Sequence, residues 1–201
     1  MDVIETPIPG AFEFVPQRIP DDRGTFAEVL RCDRVEDVTG RPFRPEQINC
    51  SVSRRNTLRG IHSVAVPPGQ AKYVTCVRGV LRDIIVDLRV GSPTFGVHHV
   101  VHLDGESGRC LFVPEGVGHG FLALTDDTCM YYAVSTRYVP GTQIEIDPLD
   151  PELALPWGLT EPPVMSAKDA QAQGVRAALA AGVLADWRDA APGGVASERL
   201  R

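Results

Sequence analysis

From Thr57 to Ser135 the chain runs as short alternating segments cut by Gly, Pro and Asp turns, with no helix-patterned stretch between them. Residues 73–77, 80–88, 97–103, 109–113, 120–125 and 129–135 read this way. In 97–103, Val97, His99 and Val101 point one way and His98, Val100 and His102 the other. Residues 11–15, 25–30 and 47–52 alternate likewise nearer the N-terminus. Strands this short and closely spaced, without crossover helices, predict an all-β antiparallel barrel or jelly roll.

Residues 33–46 are polar and carry Gly40, Pro42 and Pro45, which predicts a connecting loop. One helix is predicted from Ser166 to about Trp187, with Ser166 as N-cap and Asp169 in capping-box position. The reading is a single domain over 1–188 with a short C-terminal helical region, then a flexible tail over 189–201 that has little to bury.

A formal net charge of −6 leaves no electrostatic footprint for nucleic acid. No apolar run approaches the roughly 18–20 residues that span a bilayer, so no membrane partner is expected. The N-terminus lacks the basic start and apolar core of a signal peptide. Five scattered cysteines, never spaced CxxC, argue against a disulfide framework or zinc ribbon and fit a reducing cytoplasm, where the protein is expected to reside.

The chemistry concentrates in residues 58–79, LRGIHSVAVPPGQAKYVTCVRG. Arg59 and His62 lie on one apparent strand and Lys72 on the next, joined by a Pro-Pro-Gly turn. A hairpin-like pair would face these groups across a cavity. Cations beside an imidazole favour the neutral form that a general base must have. Only Lys72 and Lys168 are lysines among 20 basic residues, which marks them for tasks that suit a compact point charge, such as holding an oxyanion. Tyr131 and Tyr132 point to opposite faces, so one of them can line the interior, where a phenol opposite His62 would serve as a general acid. Asp169 has two readings, helix cap or orienter of His62, and the cap is the simpler.

His119 ends a PxGxxH turn of the kind found in the second motif of the cupin barrel. The first cupin motif would supply an HxH pair and a glutamate, but here His62 is followed by Val64 where the second histidine belongs. This resembles a cupin without a metal.

The segments LRGIH, GQAKYV, VDLRVGSPTFG, VPEGVGHGF, Tyr132 eight residues before Pro140, LDPELALPWG and MSAKD occur in that order over roughly residues 5–185. In order and spacing they resemble the dTDP-4-keto-6-deoxyhexose epimerases. The resemblance implies a cupin-type jelly roll, His62 as base, Tyr132 as acid, Asp169 supporting the histidine and Lys72 stabilising an enolate. It also implies nucleotide and phosphate contacts from Arg23, Glu28, Gln47, Asn49, Arg59, His119 and Lys168, with Tyr138 stacked on thymine. The implied substrate is a dTDP-linked 4-keto-6-deoxyhexose, the implied assembly a homodimer exchanging its N-terminal strands, and no cofactor is called for.

Some positions depart from the family pattern. Ser63-Val64 replace an aromatic and Gln, Gln143 stands where glutamate is common, and Thr25 where an aromatic is. The resemblance is to the antibiotic deoxysugar branch, whose members often invert one carbon, and inversion at C3 alone is the expectation. Competing readings are a 3,5-epimerase, a 3,4-ketoisomerase on the same barrel and a non-catalytic sugar-nucleotide-binding cupin.

Overall fold

The computed structural model describes residues 1–190. In chain order the first strands are β1 (Asp2–Glu5), β2 (Phe12–Val15), β3 (Arg18–Asp21) and β4 (Gly24–Ala27), followed by helix α1 (Cys32–Thr39). Strands β5 (Gln47–Ser53), β6 (Leu58–Val64), β7 (Lys72–Arg78), β8 (Val80–Asp87) and β9 (His98–Asp104) come next. Strands β10 (Cys110–Val113), β11 (Val117–Ala123), β12 (Thr128–Val134) and β13 (Gln143–Glu145) complete the set. Helices α2 (Ala167–Ala170), α3 (Val175–Ala180) and α4 (Trp187–Ala190) lie in the C-terminal segment.

Two antiparallel sheets carry the fold, one ordered β1-β2-β10-β7-β12-β5 and the other β13-β6-β11-β8-β9. This is the predicted jelly roll of cupin type. The alternation sorts side chains into layers. Between the sheets, Val74, Cys76, Leu111 and Met130 meet Leu81, Ile85, Val101 and Phe121. The outer face of the five-stranded sheet, with Ile84, Val86 and Leu88, is buried under Trp157, Val175, Ala178 and Leu184 from the C-terminal segment. The expected hairpin of β6 and β7 does not form. The two strands belong to different sheets, so their residues oppose one another across the interior rather than along a ladder.

Residues 33–46 are not all loop. Helix α1 ends at Gly40, whose φ of 69° is left-handed and whose N–H donates to the Glu36 carbonyl at 2.8 Å. Its polar sequence hides it, because a single buried side chain, Val35, docks it onto Phe14, Phe43 and Tyr73. The single helix predicted over 166–187 is three short ones. Ser166 is the N-cap, its Oγ accepting from the Asp169 N–H at 3.0 Å, yet α2 stops after one turn. Gln173 then bridges to Ile146, and Asp186 to Val90, so tertiary pairing interrupts the helical run. Of the expected tail, Asp189 and Ala190 close α4 with Ala190 buried, while residues 191–201 lie outside the described residues.

Candidate active site

Arg59 and His62 are three apart, an odd spacing that regular alternation sends to opposite faces. A β-bulge corrects the parity. On β11, His119 pairs with His62 and Phe121 with Arg59, so two steps on one strand match three on the other. Gly60 permits this with φ of 113°, and a Cβ there would lie 2.7 Å from the Gly120 Cα and from the His119 carbonyl oxygen. The two strands approach where each has a glycine, and both Arg59 and His62 reach the interior.

They line a cavity of about 360 Å³ together with Gln47, Asn49 and Ser51 from β5, Lys72 from β7, His119 from β11 and Tyr132 from β12. Gln70, Gln143 and Tyr138 close its mouth side, and Phe121 and Met130 supply its apolar wall. His62 comes from the five-stranded sheet and Tyr132 from the six-stranded one, so base and acid candidates stand on opposing walls. Tyr131 points outward and is 45% exposed.

His62 Nε2 lies 2.6 Å from Asp169 Oδ1. A proton on Nε2 donated to this carboxylate leaves the Nδ1 lone pair as the basic site. Ser166 caps the Asp169 main chain, but the Asp169 side chain does not return to the helix start as a capping box would have it and reaches His62 instead. Burial works to raise the Asp169 carboxyl, but the His62 hydrogen bond and charge and the Ser166 and Gly60 contacts outweigh it and hold it below its usual range. Lys72 is 7% exposed and donates to the His62 carbonyl at 3.1 Å. Burial brings its ammonium down to about 8, against the opposing pull of Asp83. Burial likewise pushes the Tyr132 phenol up, with Arg59 pulling the other way, so the phenol holds its proton. His119 Nε2–H donates to Asp83 Oδ2 at 2.9 Å. Two histidine–aspartate pairs therefore sit side by side on neighbouring strands.

Residues 5–177 match the family model described as dTDP-4-dehydrorhamnose 3,5-epimerase. The chain belongs to that family. It is 48% identical over 177 residues to a dTDP-4-dehydrorhamnose 3-epimerase of Streptomyces niveus, covering 88% of this chain and 85% of the relative. It is 44% identical to a dTDP-4-dehydrorhamnose 3,5-epimerase of Mycolicibacterium smegmatis, covering 94% and 93%. Among solved structures it resembles NovW, a 4-keto-6-deoxy sugar epimerase from the novobiocin cluster of Streptomyces spheroides, at TM-score 0.91 and 44% identity over 94% of this chain and 95% of that one. It also resembles ChmJ, a 3'-monoepimerase from Streptomyces bikiniensis in complex with dTDP-quinovose, at TM-score 0.88 and 38% identity over 92% and 93%.

Not every residue that the epimerase resemblance implicates gathers in this cavity. Arg23 and Glu28 lie on and just after the β3–β4 hairpin, exposed, with Arg23 bonded to Asp21. Lys168 lines a separate open groove of about 850 Å³ behind β13 and pairs with Glu145, which raises its ammonium. Tyr138 sits at the rim, 59% exposed, its N–H donating to Gln47 Oε1 at 3.1 Å. Ser51, Gln70, Phe121 and Met130 line the cavity without having been singled out by sequence. The alternation that puts Gln47 and Asn49 inward extends to Ser51, which was a readable signal. Among the departures from the epimerase pattern, Ser63 is buried and does not line the cavity, whereas Gln143, paired with Val64, does.

Proposed function

We propose that the chain is a cofactor-independent epimerase of a dTDP-4-keto-6-deoxyhexose that inverts C3 alone. The observation that carries the epimerase reading is that His62 and Tyr132 line one cavity from opposing sheets, with Lys72 beside the His62 main chain. The choice of C3 rests on the likeness to relatives named as 3-epimerases. A ketone at C4 acidifies the hydrogen on C3, because the carbanion delocalises onto O4. His62 takes that proton from one face, with Asp169 stabilising the imidazolium that forms. Lys72 meets the charge growing on O4. Tyr132 returns a proton from the other face and inverts the centre. Arg59 faces no carboxylate among the cavity-lining residues, which suits a diphosphate, and His119, held by Asp83 through Nε2, offers its other ring nitrogen beside it. Tyr138 at the rim would stack on thymine, and Lys168 would exchange Glu145 for phosphate oxygens.

The assembly we propose is a homodimer. Ile19, Phe26 and Val29 on and beside the β3–β4 hairpin, and Ile48, Val52 and Tyr131 around the edge strand β5, are all exposed. A hairpin from each copy laid over the other copy's β5 edge would bury both sets and bring Arg23 and Glu28 to the neighbouring cavity.

Incubation with dTDP-4-keto-6-deoxyglucose followed by NMR of the product tests the reaction. Inversion at C3 with C5 retained is expected. Comparable inversion at both carbons would replace the reading by a 3,5-epimerase, migration of the keto group by a ketoisomerase, and unchanged substrate by a binding protein.

A further inference from the structure

Asp83 lies on β8 opposite Phe121 and Val101 and is fully buried between the sheets. One carboxylate oxygen is bonded to His119, whereas the other, Oδ1, has no hydrogen-bond partner among the described residues. A buried carboxylate oxygen without a donor is costly, and its retention calls for an explanation. Lys72 presents the complementary shortfall from the opposing sheet. Its ammonium carries three donors, and its hydrogen bond to the His62 carbonyl uses one of them. The other charged or titratable groups lining the cavity are Arg59 and His62 from β6, His119 from β11, Tyr132 from β12 and Tyr138 at the rim. Beyond them, Asp169 from α2 is already engaged by His62. Asp83 is thus the negative charge that acts on Lys72, and it is also the partner of His119.

We infer that Asp83 is a positioning residue that keeps Lys72 in its ammonium form beside the substrate carbonyl while fixing the orientation of His119. This rests on the reading of Lys72 as the group that meets the enolate oxygen. The charge of Asp83 offsets the burial that drives the Lys72 proton off. Removing that charge leaves desolvation unopposed, so the lysine loses its proton at lower pH. The enolate then forms without a cation facing it, and turnover falls although the binding groups are intact.

The chain has only two lysines, which makes a direct test practical. With lysine labelled by ¹³C at Cε, the Lys72 signal is assigned by its loss in Lys72→Arg and titrated in wild type and Asp83→Asn. In wild type the midpoint is expected near 8. In Asp83→Asn it is expected to fall by about one pH unit or more, the usual scale for losing a nearby opposite charge. The alkaline limb of kcat should move with it, with KM changed less than about threefold, and Asp83→Glu should restore both toward wild type. A midpoint that stays within about 0.3 units in Asp83→Asn overturns the inference, as does a rise in KM with an unmoved limb, which would leave Asp83 only a brace for His119. Asp83→Ser, also uncharged and smaller, makes the same comparison if the asparagine variant does not fold. Near-wild-type turnover in Lys72→Met would instead overturn the role of the lysine itself, an outcome that the NMR titration separates from a failure at Asp83.

Discussion

Asp169 serves two partners at once, its main chain held by Ser166 and its carboxylate by His62. Its carboxyl is held below the unfolded value, so its contribution to stability is present above about pH 4 and is lost as pH falls through the folded value. Asp169→Asn is therefore expected to lower the urea midpoint at pH 7, and the gap to wild type should close as the titration is repeated below about pH 4. A gap that does not change with pH would show that the His62 contact contributes nothing to folding. In catalysis, His62→Ala and Tyr132→Phe should each cost at least about a hundredfold in kcat, the usual scale for losing a general base or acid. Wild-type turnover in either variant would remove that residue from its role. The identities of these side chains were readable in the sequence. Which of two jobs Asp169 does was not, because a capping position and a histidine partner require the same residue type at the same place.

The bulge in β6 is what makes a site out of an otherwise regular sheet. Most strands were legible, since alternation and turn residues are local properties. The bulge was not fixed by the sequence, since Gly60 inside the strand is a local hint of one but its position depends on how β6 registers against β11. Helix α1 escaped for a related reason, as its stability comes from Val35 packing on a distant aromatic cluster rather than from its own pattern. Gly60→Ala places a Cβ against backbone on β11 and forces a left-handed residue, so it should destabilise the fold by about 2 kcal/mol or more and abolish turnover. Denaturation that matches wild type would mean that the strands can part to admit a methyl group, and that the close approach is not needed.

For the whole molecule, the single chain leaves apolar side chains exposed on the β3–β4 hairpin and around the β5 edge. Arg23 and Glu28, two of the three expected substrate-binding residues that do not line the cavity, lie by that hairpin, so the proposed homodimer would account for both. Phe26→Asp together with Ile48→Asp should shift sedimentation from dimer to monomer, and Arg23→Ala should raise KM about tenfold or more with kcat nearly unchanged. A wild-type monomer, or an Arg23→Ala enzyme with an unchanged KM, would leave the hairpin without a function in the site. The core between the sheets was legible from alternation, but the proposed contacts were not, since they would join separate copies and no pattern along one chain encodes their geometry. The proposed reaction needs two groups acting from opposite faces of the sugar. Tyr132→Phe incubated with dTDP-4-keto-6-deoxyglucose in D₂O tests this most directly. Deuterium is predicted to enter at C3 with its configuration retained, because His62 still removes and returns a proton on its own face. Inversion at C3 by this variant at the wild-type rate would contradict the two-faced mechanism.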